Sequence, residues 1–288
     1  MQWYFYVFGS VVFAAAFAIA RKKALEKEHA LDFESARSFF VVLILLFFLP
    51  LVEISVSWAV LFLVYLSSLL AAVGIVFMSK AYRHSEISLI YPLNNLKPFF
   101  VFVLAYFFLS EKISLLNASG VFLLLISAYA LEADHHFSDF FYPLKSLFSS
   151  KYNIYFIFSL VLFSITSLFD KYFVSNFFTP LSLLFIMWIL ISLNLNIIHG
   201  VTHGFKEVRD MIIRKPALPL LVAVFSVGSN FLYLTALQTA YVSLVTPLLM
   251  LSTLLVVVIG GKFFKEQNLF YRAAISVVML VGAYLIII

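Results

Sequence analysis

Residues 82–131 recur, without a gap and at a constant offset of 155, in residues 237–286. Ser88 and Leu89 fall on Ser243 and Leu244, Pro92 on Pro247, Glu111 on Glu266, and Ala128 and Tyr129 on Ala283 and Tyr284. The same offset carries Gly9 onto Ser164 near the start of the chain. A chain that repeats itself at this distance folds as two similar halves, each closing its apolar surface against the other.

The medium follows from composition. Apolar residues make up 64% of the 288 and charged residues 11%, against about 45–50% and about 25% in soluble domains. Backbone that crosses hydrocarbon must bond within itself, and a crossing helix takes roughly 20 apolar residues. Spans are expected near 3–20, 38–52, 56–79, 87–109, 114–131, 152–175, 180–199, 216–239, 242–262 and 269–287. The expected fold class is an all-α integral membrane protein with ten transmembrane helices in two five-helix repeats, 1–131 and 152–288, joined by a linker at 132–151. A cleaved signal peptide ending near Ala18, Ile19 and Ala20 is the weaker reading of the first span, because Arg21, Lys22 and Lys23 follow the apolar run instead of preceding it.

The linker holds Phe137, Phe140, Phe141, Leu144, Leu147 and Phe148, which suits a short helix lying in the membrane interface. Its Asp134, His135, His136 and Asp139 are metal-ligand types, yet adjacent histidines in a solvated loop seldom close a site, and no metal or other cofactor is expected. With no cysteine, disulfides and thiolate chemistry are excluded. The formal charge of +5 reads as loop charge that sets topology, with no nucleic-acid partner expected. Of the 19 Lys and Arg, 16 follow odd-numbered spans, while Lys112 and Lys171 lie on the other face and Lys97 lies within a span. The positive-inside rule then puts the basic loops in the cytoplasm and both termini outside, and an odd number of spans per copy inverts the second copy relative to the first.

Ala81, Ser88-Leu89, Pro92, Glu111 and Gly120 in the first copy, with Ala236, Ala240, Ser243-Leu244, Pro247, Glu266 and Gly282 in the second, resemble the pattern of the drug/metabolite transporter (DMT) superfamily with two EamA-type repeats. The resemblance covers essentially the whole chain, and its specificity lies in the doubled spacing. It implies a multi-pass transporter of the cell (plasma) membrane that moves a small metabolite, commonly outward, along a pathway bounded by spans three, four, eight and nine. Two departures stand out. Ile275 occupies the position of Gly120, so close helix packing is not expected there in the second copy; and family members of this length are usually drawn with both termini in the cytoplasm, against the charge tally.

Lys97 is the leading candidate for substrate binding. It falls about halfway along the fourth span, where an ammonium costs roughly 2.5–3.5 kcal/mol on insertion scales. Glu53, Glu86, Glu111, Glu132 and Asp170 all fall near span ends, so an acidic group on the substrate is expected to neutralise it. The plainer reading is a lysine that snorkels or bonds to carbonyls. Asn94 and Tyr91 share its helix face at helical spacing, Asn95 and Pro98 adjoin, and Pro98 is expected to kink the helix by freeing the carbonyl near Asn94. In the eighth span Ser226, Asn230 and Tyr233 form one stripe, readable as cavity lining or as interhelical glue. Thr246, Met250 and Thr253 are the ninth span's candidates. Asn194 and Asn196 read as packing hydrogen bonds, while Pro92, Pro247, Glu111 and Glu266 read as structural landmarks of the repeat.

The expected function is secondary transport, by alternating access, of a small polar metabolite carrying an acidic group, with a proton as the candidate coupling ion. A lipid-linked sugar flippase is the alternative; a cationic-drug exporter is disfavoured for want of a carboxylate at mid-depth. No nucleophile, base and acid set or metal pattern occurs at mid-membrane, so an enzyme is not expected. Substrate identity and subunit number are not specified by the pattern.

Overall fold

Helices account for every regular element among the described residues, as the apolar composition requires of backbone without water to bond to. The computed structural model describes residues 2–25, 28–84, 93–132, 150–202, 204–256 and 269–288. In chain order the helices are α1 (Trp3–Leu25), α2 (Ala30–Leu46), α3 (Trp58–His84), α4 (Lys97–Phe108), α5 (Leu115–Glu132), α6 (Lys151–Asn176), α7 (Pro180–Thr202), α8 (Lys206–Arg214), α9 (Ala217–Leu237), α10 (Val242–Leu248) and α11 (Leu269–Ile287). Five of them, α1, α3, α6, α7 and α9, are long and apolar enough to cross a membrane, and four shorter apolar helices join them. Large side chains such as Phe47, Trp58, Phe107, Phe108 and Leu115 stand exposed on the outside, as lipid-facing residues do.

Local signals start several helices. Ser57, Ser114 and Ser150 accept from amides of the first turns of α3, α5 and α6. At α7, Thr179 accepts from the N–H of Ser182 while Pro180 opens the helix, where its missing donor costs nothing. Ser110, at φ 53°, takes the left-handed conformation just past the end of α4 and turns the chain into Glu111.

The halves pack as a pseudo-two-fold pair. α1 lies on α9 and α6 on α3, so the first helix of each repeat packs on the third of the other; α2 meets α7, α4 meets α10, and α5 meets α11. This exchange explains why neither copy is a self-sufficient bundle: the partner of each opening helix belongs to the other half. Small residues set the crossings. A Cβ on Gly120 of α5 would come within 2.7 Å of the Gly282 carbonyl oxygen in α11, and a Cβ on Gly282 would lie 3.0 Å from the Gly120 oxygen. Gly120 thus meets Gly282, about two helix turns beyond Ile275, its counterpart in the repeat.

Several boundaries differ from the sequence expectation. α2 begins at Ala30, eight residues before the expected start at Ser38, and α3 runs on to His84. No Pro or Gly interrupts residues 30–49, and a charged first turn extends a helix freely when its charges are paired by neighbouring helices. The fourth span is not one kinked helix: residues 93–94 are helical, Asn95 and Leu96 form a turn, and α4 starts at Lys97. Pro98 sits in the first turn of α4, a position that needs no N–H, instead of breaking a helix interior. The second repeat breaks nearly in register, with a turn at Leu249 and Met250 between α10 and a helical stretch at 251–256. α8, a short strongly amphipathic helix, was not anticipated. The linker, including Asp134, His135, His136, Asp139 and its aromatic residues, lies outside the described residues.

Candidate functional site

α1, α2, α3 and α4 from the first repeat and α6, α7 and α9 from the second enclose a cavity of about 290 Å³. Its charge comes from Arg21, Arg37 and Lys97 against Glu34 and Asp170. Three cations face two carboxylates, a formal excess of one positive charge.

Glu34 is the hub of one part. Its Oε1 accepts from Arg21 Nε at 2.7 Å, and its Oε2 accepts from Arg37 Nε at 2.8 Å and lies 2.7 Å from Arg37 Nη2. Glu34 and Arg37 are one helix turn apart on α2, so their contact is local; Arg21 arrives from the last turns of α1. Arg37 then donates from Nη1 to Ser226 Oγ on α9 at 3.0 Å, and Asn230 donates back to the Ser226 carbonyl at 2.7 Å. The guanidinium of Arg37 also lies 4.8 Å from the ring of Trp188 on α7. This network ties both repeats together and fixes the orientation of Arg37, whose planar fork only fits partners in its plane.

Lys97 and Asp170 form the other part. Lys97 heads α4, where the unpaired amides of a first turn already favour negative charge and an ammonium is poorly placed. Asp170 on α6 is its opposite charge in the cavity, and the two attract each other. Neither side chain makes a direct hydrogen bond among the described residues, and both remain partly exposed to the cavity. The α4 backbone is held to α6 by Ser164 Oγ, 3.3 Å from the Lys97 carbonyl oxygen.

Of the residues singled out from sequence, Lys97, Ser226, Asn230 and Tyr233 line the cavity. Asn95, Thr246 and Met250 are buried beside the two helix breaks, and the Asn95 side-chain amide nitrogen has no hydrogen-bond partner among the described residues. Asn94 is exposed, because the turn at Asn95 and Leu96 removes it from the face of Lys97. Thr253 is half-buried past the second break and does not line the cavity. Tyr91, Pro92 and Glu266 lie outside the described residues. Pro247 lies inside α10, and Glu111 accepts from the Val242 amide at its start at 2.9 Å. Asn194 donates to Ser68 and Asn196 to Ser38, both across helices.

Arg21, Glu34, Arg37, Asp170 and Trp188 were missed. From sequence Arg21 and Arg37 read as loop charges and Asp170 as a span-end residue; the structure brings all three, with Glu34, into one cavity with Lys97, so the expectation that no carboxylate is placed to neutralise Lys97 is corrected by Asp170. The available signal was Glu34 and Arg37 at a spacing of three in a stretch free of Pro and Gly, which extends the second span backwards. Nothing in the sequence pairs Asp170 with Lys97, since they lie on helices of different repeats.

Among the described residues no group of three or more His, Asp or Glu could hold a metal ion. The sequence matches the EamA-like transporter family over residues 1–132 and 150–288, one match per repeat. No curated protein matches it. A solved structure described only as the crystal structure of a protein superposes with a TM-score of 0.73 at 12% identity, covering 98% of this chain and 94% of that one, a likeness of fold alone. The chain belongs to the EamA-like transporter family and is a multi-pass membrane protein.

Proposed function

With membership of the EamA-like transporter family as premise, we propose that this protein exports a small polar metabolite bearing an acidic group across the cell membrane by alternating access. The observation that carries the reading is the cavity between the repeats, lined from both and holding Arg21, Arg37 and Lys97 against Glu34 and Asp170. Glu34 is already engaged by both arginines, and Asp170 by attraction to Lys97. The uncompensated charge is therefore positive, which supports an anionic group on the substrate even though Lys97 has a carboxylate near it. Ser226, Asn230 and Tyr233 would orient the remainder of the substrate. Rocking of the halves is supported by the pseudo-two-fold packing and by fourth helices broken at nearly matching places, the arrangement by which inverted-repeat carriers form a midplane site.

The volume of about 290 Å³ lies just below the range for small-molecule pockets, roughly 300–1,000 Å³, and supports a small metabolite over a lipid-linked sugar. Support for export comes from the charged network, which sits at the end of α1 and the start of α2, next to the basic loops. If those loops are cytoplasmic, the charged end faces the cytoplasm and substrate loads from within. Both termini would then be outside, and tags accessible only from the cytoplasm would reverse the direction.

The deciding experiment is a thermal-shift screen of amino acids, sugar phosphates, organic acids and organic cations on wild type and Lys97→Met, since a ligand that binds only the folded state raises its melting point. An acidic metabolite is expected to stabilise the wild type and to bind the variant at least tenfold more weakly, the loss of one charge-assisted contact. Stabilisation by cations alone, or by acids irrespective of Lys97, would overturn the reading.

A further inference from the structure

A second cavity, of about 320 Å³, lies apart from the one already described, at the end where α3 finishes and α6 begins. Its lining includes His29, Ser79, Lys80, His84, Lys151 and Tyr152, with no carboxylate among the described residues that form it. Four basic or imidazole side chains therefore converge from three separate chain segments. In the first cavity each cationic cluster has an acidic counterpart; here Lys80 and Lys151 are exposed and have no ion-pair partner among the described residues. His29 differs, lying 3.6 Å from Asp32, whose other carboxylate oxygen meets His199.

Three further features favour an anion. Lys151 and Tyr152 form the first turn of the 26-residue α6, so the positive end of a long helix dipole faces this region. Ser79 is 4% exposed and its hydroxyl has no hydrogen-bond partner among the described residues, an unusual condition for a buried donor that a bound oxyanion would relieve. Ring contacts join the basic side chains of the wall: the rings of His84 and Tyr152 stack at 4.3 Å, and the Lys151 ammonium lies 5.1 Å from the Tyr152 ring.

We propose that this cavity is a binding site for a phosphate-type oxyanion, held by Lys80 and Lys151 with the Ser79 hydroxyl as donor. The oxyanion belongs either to a free phosphate compound or to an anionic lipid headgroup. The site is separate from the cavity of the proposed transport cycle: Met78 lines one and Ser79 the other, on neighbouring positions of α3.

The test uses the full chain in phosphatidylcholine nanodiscs, with melting followed against inorganic phosphate and against chloride at matched ionic strength. Phosphate is expected to stabilise wild type and Lys97→Met equally, and to act on the double variant Lys80→Gln with Lys151→Gln only at about tenfold higher concentration. Ser79→Ala, a change inside a helix that removes one hydroxyl, is expected to weaken phosphate a few-fold and serves if the double variant misfolds. In a second arm, phosphatidylglycerol replaces part of the lipid in phosphate-free buffer. Stabilisation there that depends on Lys80 and Lys151 identifies the headgroup as occupant, whereas a response to phosphate alone identifies a soluble compound. A phosphate response untouched by both Ser79→Ala and the double variant, or one abolished by Lys97→Met, would overturn the site without bearing on transport of another substrate through the first cavity.

Discussion

The carboxylate of Glu111 accepts the backbone N–H of Ser243 at 3.1 Å and the hydroxyl of the same residue. Glu111 follows the fourth span of the first repeat, and Ser243 opens the fourth span of the second, so one repeat caps the broken helix of the other. The acceptor is buried, and the amides it satisfies at α10 would otherwise be orphaned in hydrocarbon.

Removing that charge has a defined consequence. Glu111→Gln keeps the shape but turns charge-assisted bonds into neutral ones and sets a donor against an amide, for an expected loss of about 2–3 kcal/mol. Ser243→Ala, which removes one bond of the set, should cost about 1 kcal/mol. Fluorescence-monitored melting in detergent reads both, and a Glu111→Gln protein as stable as wild type would mean that the cap is not a determinant of stability.

At the crossing of α5 and α11, helix propensity and packing oppose each other. Gly120→Ala gains about 1 kcal/mol of propensity, but its Cβ would lie 2.7 Å from a backbone oxygen that cannot rotate away. Overpacking of about 1–3 kcal/mol wins, so the melting point should fall, and fall further for Gly120→Leu. A higher melting point for Gly120→Ala would show that the two helices separate without cost.

The Glu34 network should respond more to a lost charge than to a lost fork. Glu34→Gln strands the buried guanidinium of Arg37 and the partly buried one of Arg21, and is expected to cost about 3–5 kcal/mol. Arg37→Lys keeps the charge while giving up simultaneous contact with Glu34 and Ser226, for about 1–2 kcal/mol. Equal losses in a side-by-side denaturation series would mean that fork geometry matters as much as charge.

Asp170 is the candidate carrier of a coupling proton, being the cavity carboxylate without hydrogen-bonded cations. Asp170→Asn is expected to retain substrate exchange in proteoliposomes within about threefold, roughly 0.7 kcal/mol, and to lose accumulation driven by a pH gradient. Gradient-driven uptake that persists in Asp170→Asn would move the coupling elsewhere.

The sequence by itself determined the medium and the duplication, because hydrophobic runs and a constant offset are local or self-referential properties that need no third dimension. It also marked Lys97, Ser226, Asn230 and Tyr233, whose polarity stands out against apolar helices. It set α2 eight residues short, since charges read one at a time resemble a loop end; Glu34 and Arg37 become tolerable inside a helix only when Arg21 and Ser226 meet them. Tertiary structure alone decided the site's electrostatics. α2 packs on α9 and α4 on α6, so Arg37 reaches Ser226 and Asp170 faces Lys97 across 73 residues of chain. Attraction between charges depends on separation in space, and no spacing along a sequence records which helices of two repeats will become neighbours.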